Sequence, residues 1–416
     1  VGEERGSEGD RGTQRMTSKQ LLEDLGVPGH VQTKLQSFVL SLRRREIRGS
    51  YRVAQTTAEF LRIVISSHKW NSAQELIDVV HHIGYILNEA QPVEVCAGNI
   101  VRRVLYFIRE EYSSHLEQEG DGEGEEAPAS KRASPAVSTP PLLRRQSTVD
   151  GKSHLNPTLQ DLLSAASLHR DSYDRHFKDL KSDILEDINM LLEELKSLYH
   201  NISCYALDHI HTNEVIMTFG SSNTVKGFLM AAARKRRFHV VVAESAPELK
   251  AQQVAVDLAE AGIDTTLIPD SAIFGMMSRV NKVIVGTHAV MANGGLLATS
   301  GVRLLAEAAR YHSVPFVVCV GSYKISPQHI TDKTSINDLT SPGKILRFDQ
   351  VDNICNSEKV DVQVQNPSLD YIPPELVSLL LTNHGGHIPS YIYRLLSECY
   401  NQSDLTLKRK GATEAL

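Results

Sequence analysis

Five short apolar runs, each followed by a stretch of helical periodicity, occupy the second half of this sequence and leave it few folds to choose from. The runs are Val215–Phe219, His239–Ala243, Thr265–Ile268, Lys282–Thr287 and Pro315–Val320. They are rich in Val and Ile and do not alternate with polar residues, as expected of strands buried on both faces of a parallel sheet. Helical stretches over 222–236, 248–261, 271–279 and 300–312 separate them, and Gly262 stands where a helix C-cap is expected. Strand and helix in alternation give a doubly wound parallel sheet, because each crossover lays its helix on a face. A last helical pair, 374–382 and 389–400, is expected to close this Rossmann-like domain, which spans 213–405. Ligands of such sheets meet the loops at the carboxyl ends of the strands. Here those loops are Gly220–Asn223, Glu244–Pro247, Asp270–Ser271, Thr287–Gly295 and Gly321–Ser326.

The first half reads differently. Over 17–112 the apolar residues recur at helical spacing: Leu35, Phe38, Val39 and Leu42; Phe60, Leu61, Val64 and Ile65; Leu76, Val79, Val80 and Ile83; Ile100, Val104, Leu105 and Ile108. Thr56–Thr57 and Asn71–Ser72 are candidate N-caps. This predicts an N-terminal helical domain, so the fold class is α+α/β. From Glu117 to Glu126 six of ten residues are acidic and three are glycine, and Ser/Pro-rich and basic sequence follows. Too few apolar side chains are present to offset chain ordering, which predicts a disordered linker over 113–157. Within it Arg144–Arg145–Gln146–Ser147 resembles a basophilic kinase site, with Ser147 the acceptor. The stripe Ile184, Ile188, Leu191, Leu195, Leu198 and Ile202 predicts a long connecting helix within 158–212. Residues 1–16 and 406–416 are expected to be tails.

Charge and cysteine usage narrow the function. The chain holds 44 basic and 50 acidic residues, a balance of −6, which argues against a general nucleic-acid binder. No apolar run is long enough to span a bilayer, and residues 1–15 carry no apolar leader segment. The five cysteines (Cys96, Cys204, Cys319, Cys355 and Cys399) form no CxxC pair, as expected of free thiols in a reducing compartment.

No motif of nucleotide or metal chemistry is present. The turn Thr218–Thr224 has the small polar residues of a phosphate cradle but is not G-x-G-x-x-G, and no Walker A exists. His209 and His211, at i and i+2, would point apart on a helix and cannot share a metal. Arg234–Lys235–Arg236–Arg237 ends a helix, where positive charge suits the dipole; an acidic protein partner is the alternative reading. The most site-like segment is Val283–Gly295. There a buried strand runs into a polar loop whose Asn293–Gly294–Gly295 permits a backbone with φ > 0.

That loop, with Ala308–Val318 after it, resembles a family shared by two groups. One comprises the alpha, beta and delta regulatory subunits of eukaryotic translation initiation factor 2B. The other comprises sugar-phosphate isomerases acting on methylthioribose-1-phosphate and ribose-1,5-bisphosphate. Within the family, His209–Thr218, Ala231–Val240, Asp370–Glu375 and Pro389–Leu395 resemble the beta branch. The resemblance is strong over 158–401 and weaker over 17–112.

The resemblance implies a catalytically silent chain. The isomerases place a cysteine just after the first strand and an aspartate after the fourth, on opposite sides of a sugar carbon, to shuttle protons. The corresponding positions here hold Gly220 and His288. Gly295 and Ala298–Thr299 stand where the isomerases carry an Asp and an Asn-Lys pair. What is implied is a vestigial pocket of Gly220, Ser221, Asp270, His288, Asn293 and Gly294, with no catalytic residue, cofactor or metal. A heterodimer contact with a delta-like subunit is implied at His211, Thr212, Asn213, Phe219 and His239. The expected partners are alpha-, delta-, gamma- and epsilon-like subunits and translation initiation factor 2, in the cytosol, with no direct nucleic acid and no membrane. The chain would help sense phosphorylation of its substrate factor. The rival readings are an active sugar-phosphate isomerase and a free-standing metabolite sensor.

Overall fold

A computed structural model describes residues 27–120, 173–330, 337–350 and 363–407. Residues 1–16 and 408–416, most of the acidic linker (121–157) and Ser147 lie outside the described residues; the expected C-terminal tail begins too early at 406, because Leu407 is buried in the core. The helical domain contains α1 (Gly29–Arg43), α2 (Ser50–Ser67), α3 (Ala73–Ala90) and α4 (Val95–Gly120). Every residue of the four apolar sets is buried there except Val39, which packs against the core from its edge. Ser72 caps α3 by accepting from Glu75 N at 3.3 Å, while Glu75 accepts from Asn71 N. Thr57 is not a cap. It lies inside α2 with its hydroxyl turned back to Val53 O at 2.7 Å, because the helix begins earlier, at Ser50. Helix α4 also runs on through 113–120, where the sequence pointed to linker, since Tyr112, His115 and Leu116 still pack against the domain.

The connecting helix α5 is Leu180–Cys204, followed by one turn, α6 (Ala206–His209). The described residues just before it, 173–179, are not helical, and 158–172 lie outside the described residues; all six residues of its stripe are buried. The α/β domain follows with β1 (Val215–Phe219), α7 (Asn223–Ala233), β2 (His239–Ala243), α8 (Lys250–Glu260), β3 (Asp264–Ile268), α9 (Ile273–Met277) and β4 (Lys282–Gly286). Then come β5 (Ala289–Val290), β6 (Leu296–Thr299), α10 (Val302–Tyr311), β7 (Phe316–Cys319), β8 (Leu369–Ile372), β9 (Leu379–Thr382), β10 (Gly385–His387) and α11 (Ile392–Cys399).

The main sheet has seven strands in the order β10-β9-β7-β4-β1-β2-β3, all parallel except the edge strand β10. The chain winds from β1 outward to β3, then returns to β4 on the other side of β1, so the order reverses between β1 and β4. Two elements differ from the sequence reading. The run Leu379–Leu380–Leu381–Thr382 is a strand, not a helix, and pairs in parallel with β7 from Val317↔Leu379 to Cys319↔Leu381. Three leucines between Ser378 and Thr382 carry no periodicity that separates the two states. In addition β5, β6 and β8 form a small antiparallel sheet.

The helical domain and the sheet share one core. Leu195, Leu198 and Ile202 of α5 sit in the same apolar cluster as Ile216, Val240, Ile284 and Val317 of the sheet. Polar clasps fix the join. Arg103 pairs with Glu194 at 2.6 Å, and Glu194 also accepts from Ser322 and Asn383 on the loops after β7 and β9. Asp404, fully buried, accepts from His81 and Arg109, each at 2.8 Å.

Candidate functional site

A cavity of about 340 Å³ opens at the point where the strand order reverses. The carboxyl end of β1 and the first turn of α7 supply Phe219 and Ser221–Thr224, and the end of β4 supplies Gly286, Thr287 and His288. Lys324 comes from the loop after β7. The far wall is the helical domain: Arg48, Gly49, Ser50, Tyr51 and Arg52 at the start of α2, with Tyr199 of α5. The carboxyl-end rule thus places the cavity, but six of its nineteen lining residues come from the helical domain and α5, which no local pattern announces.

The chemistry of the lining is basic and hydroxylic. Among the described residues that line it, none is Asp, Glu or Cys. His288 is held rather than poised. Its Nε2 lies 3.1 Å from Val93 O, which can only accept, so the ring proton sits on Nε2 and Nδ1 faces the Ser50 hydroxyl at 3.4 Å. The Glu94 carboxylate stands behind it, 3.8 Å from Nε2. Lys324 donates to Thr287 O at 2.8 Å, and burial pushes its ammonium below the ordinary value while Cys96 and Glu94 pull it back up.

The residues expected in the pocket do not all meet there. Ser221 and His288 line the cavity, and Gly220 joins Phe219 to Ser221 at its floor. Gly220 has φ +71°, a conformation that disfavours a β-carbon, though no atom but Ser245 Oγ and Thr299 Oγ1 comes within 4.0 Å of one. Asp270 is elsewhere. Its carboxylate accepts from Ser245 N (2.9 Å) and Ala246 N (2.7 Å), tying the loops after β2 and β3 together. Asn293 and Gly294 are also outside the lining. Asn293 accepts from Gly295 N and donates to the Tyr371 hydroxyl at 2.8 Å, and Gly294 lies against Pro389. A β-carbon at Gly295 would stand 2.6 Å from the Tyr371 hydroxyl, so the loop has no room for a side chain there unless Tyr371 shifts.

The five residues expected at a heterodimer contact split between the two ends of the sheet. His211, Thr212 and Asn213 are exposed at the amino end of β1, and His239, half-buried, begins β2 beside them. Arg236 reaches His211 Nδ1 at 2.7 Å, and His239 bridges Asp264 and Thr266 at 3.0 Å each. A second hollow of about 600 Å³ opens here, lined by Asn213, Glu214, Arg236, Arg237, His239 and Asp264 among others. Phe219 does not belong to this edge. It is only 4% exposed, at the opposite end of β1, with its ring under Gly301. Burial of β1 on both faces puts it in the core, so it presents no ring to a partner. Cys319 is likewise buried, and burial pushes its thiol up to about 12.

Among the described residues no helix is long and apolar enough to cross a membrane. Residues 46–389 match the Initiation factor 2 subunit family. The chain is 46% identical over 378 residues to translation initiation factor eIF2B subunit beta of Dictyostelium discoideum, covering 89% of this chain and 96% of the relative. It is 41% identical to the protein of the same name in Schizosaccharomyces pombe, over 91% of this chain and 98% of the relative. Among solved structures it is similar to the tetrameric eIF2B-beta2-delta2 complex from C. thermophilum, at 25% identity and a TM-score of 0.61, covering 92% of this chain and all of that one.

Proposed function

The chain belongs to the Initiation factor 2 subunit family, and from that premise we propose how it works as a beta-type subunit of the complex that exchanges guanine nucleotide on translation initiation factor 2. It is a regulatory, non-catalytic subunit that partners other subunits of that complex. The observation that carries this reading is the cavity at the β1/β4 switch point, whose described lining holds no carboxylate and no thiol. Proton transfer at a sugar carbon needs an acid and a base within hydrogen-bond reach of the substrate. His288 is bound to Val93 O, Glu94 stands behind it outside the lining, and Tyr371 occupies the space above Gly295.

Of the finer assignments, the delta-type contact rests on exposure and the others on the family resemblance. A delta-type subunit docks on the amino edge of the sheet, against His211, Thr212, Asn213 and His239, where polar side chains stand exposed beside an open hollow. Alpha-type subunits complete the core, gamma- and epsilon-type subunits bind that core, and epsilon carries the exchange chemistry. The assembled core senses phosphorylation of the substrate factor, in the cytosol. Reconstitution tests this: the remaining subunits are assembled with and without this chain, and GDP release from initiation factor 2 is followed. Release is expected to lose its sensitivity to phosphorylation of the factor when the chain is omitted. Unchanged sensitivity would overturn the regulatory role.

A further inference from the structure

The ends of α4 and α5 carry a side-chain cluster that the regulatory reading does not use. The two helices run antiparallel, so Arg103 faces Glu194 near one end and His115 faces Asp183 near the other. Glu111 and His115 are four residues apart on α4, and Asp183 and Asp187 are four apart on α5. Residues at that spacing share one helix face, so each helix presents a pair of potential ligands to the other. Carboxylate oxygens of Glu111 and Asp183 and one ring nitrogen of His115 all lie within 4.8 Å of one another. His115 Nε2 is 2.8 Å from Asp183 Oδ2, and the Phe177 ring stacks on the imidazole at 5.2 Å and 19°, which fixes its plane. Asp187 contacts Glu111 from the next turn of α5.

We propose that Glu111, His115 and Asp183, with Asp187 beside them, bind one divalent transition-metal ion of the zinc type. Paired ligands from facing helices are how helical bundles build metal sites. Zinc bonds to imidazole nitrogen and carboxylate oxygen are about 2.0–2.2 Å, so tetrahedral ligands sit roughly 3.3 Å apart. Reaching that separation from 4.8 Å asks the side chains to close by about 1.5 Å. Metal binding displaces the proton that His115 now shares with Asp183, so the imidazole becomes a ligand through Nε2. The nitrogen donor selects zinc over magnesium or calcium, which prefer oxygen alone. The site is remote from the switch-point cavity: Asp183 precedes the cavity residue Tyr199 by sixteen positions of one helix, about 24 Å. Its effect is structural, a cross-link between helix ends 68 residues apart in sequence.

Calorimetric titration of the whole chain, freed of metal with a chelator, tests this with zinc chloride and, in parallel, magnesium chloride. The seventeen histidines offer other weak sites, so the readout is the difference between wild type and two variants, His115→Ala and the isosteric Asp183→Asn. Wild type is expected to take up one equivalent of zinc with a dissociation constant of micromolar or below and to melt at a higher temperature with zinc bound. Each variant is expected to weaken that equivalent at least tenfold and to lose the rise in melting temperature, while magnesium gives no saturable signal. X-ray absorption of the zinc-loaded chain is expected to show a nitrogen and oxygen shell. No saturable equivalent, unchanged affinity in both variants, or sulfur in the first shell would each overturn the proposal.

Discussion

At its carboxyl end the seven-stranded sheet is roofed by the helical domain, whereas at its amino end the same strands stand open. The roofed end has Arg48–Arg52 over the cavity, the Arg103–Glu194 pair behind it and Asp404 clasped by His81 and Arg109. The open end has His211, Thr212 and Asn213 in solvent beside the half-buried His239. The carboxyl end is where this architecture does its chemistry, yet here its described lining holds no carboxylate and no thiol. The amino end has no chemistry to do and is free to be a surface. The contrast separates the end where this architecture usually does its chemistry from the end that it leaves as a surface.

The largest expected effect comes from Phe219, buried at the roofed end of β1. Phe219→Asp is expected to unfold the chain rather than dissociate a complex. Truncating a buried Phe costs about 3–5 kcal/mol, and an unpaired buried charge adds to that. The melting temperature should fall by roughly 10 °C or more. An unchanged melting curve with lost assembly would return Phe219 to the interface and erase the distinction between the ends.

Next is the roof. Burial pushes the Glu194 carboxyl up, but Arg103, with hydrogen bonds from His384 and Ser322, outweighs it and holds the group well below the ordinary carboxylate range. A depressed carboxylate stabilises the fold at pH values above its unfolded value, about 4.5, and that stability is lost as pH falls below it. Wild type should lose melting temperature steeply from about pH 5 to pH 3. Glu194→Gln leaves Arg103 buried without its charge partner, at a cost of about 3–5 kcal/mol, and should flatten that slope. Circular-dichroism melts across the range measure both, and parallel slopes would remove Glu194 from the roof.

The open end should behave in the opposite way. Thr212→Arg is expected to leave stability within about 0.5 kcal/mol, as exposed substitutions do. It should weaken binding to a delta-type subunit at least tenfold, about 1.4 kcal/mol. Equal affinity would show that the amino edge is not the docking surface. The smallest expected effect is none: Gly220→Cys with His288→Asp should give no turnover of methylthioribose-1-phosphate. Orientation can supply about 7–11 kcal/mol of barrier lowering, and nothing at Gly295 or Ala298 clamps the sugar. Product formation over hours would show a cavity still organised for sugar phosphates.

Much of this contrast was legible in the sequence where local pattern decides structure. The five parallel strands, the buried stripe of α5 and the loops Gly220–Asn223 and Gly321–Ser326 all follow from periodicity and the carboxyl-end rule. What was not legible depends on contacts between distant segments. Arg48 and Arg52 reach the cavity only because α2 packs on α5, and Asp270 turns to bond the backbone of Ser245 and Ala246 instead of the cavity. Leu379–Thr382 became a strand because β7 offered an unpaired edge. The burial of Phe219 was available in principle, since it ends an apolar run whose other members are core residues.

The most direct test of the account is the mass of the assembly formed when this chain is mixed with an equimolar delta-type subunit, measured by sedimentation velocity. A complex heavier than either chain alone is the expected result, converted to smaller species by Thr212→Arg but not by Gly220→Cys with His288→Asp. Two independently sedimenting chains, or a complex indifferent to Thr212, would contradict the proposal that a delta-type subunit docks on the amino end of this sheet.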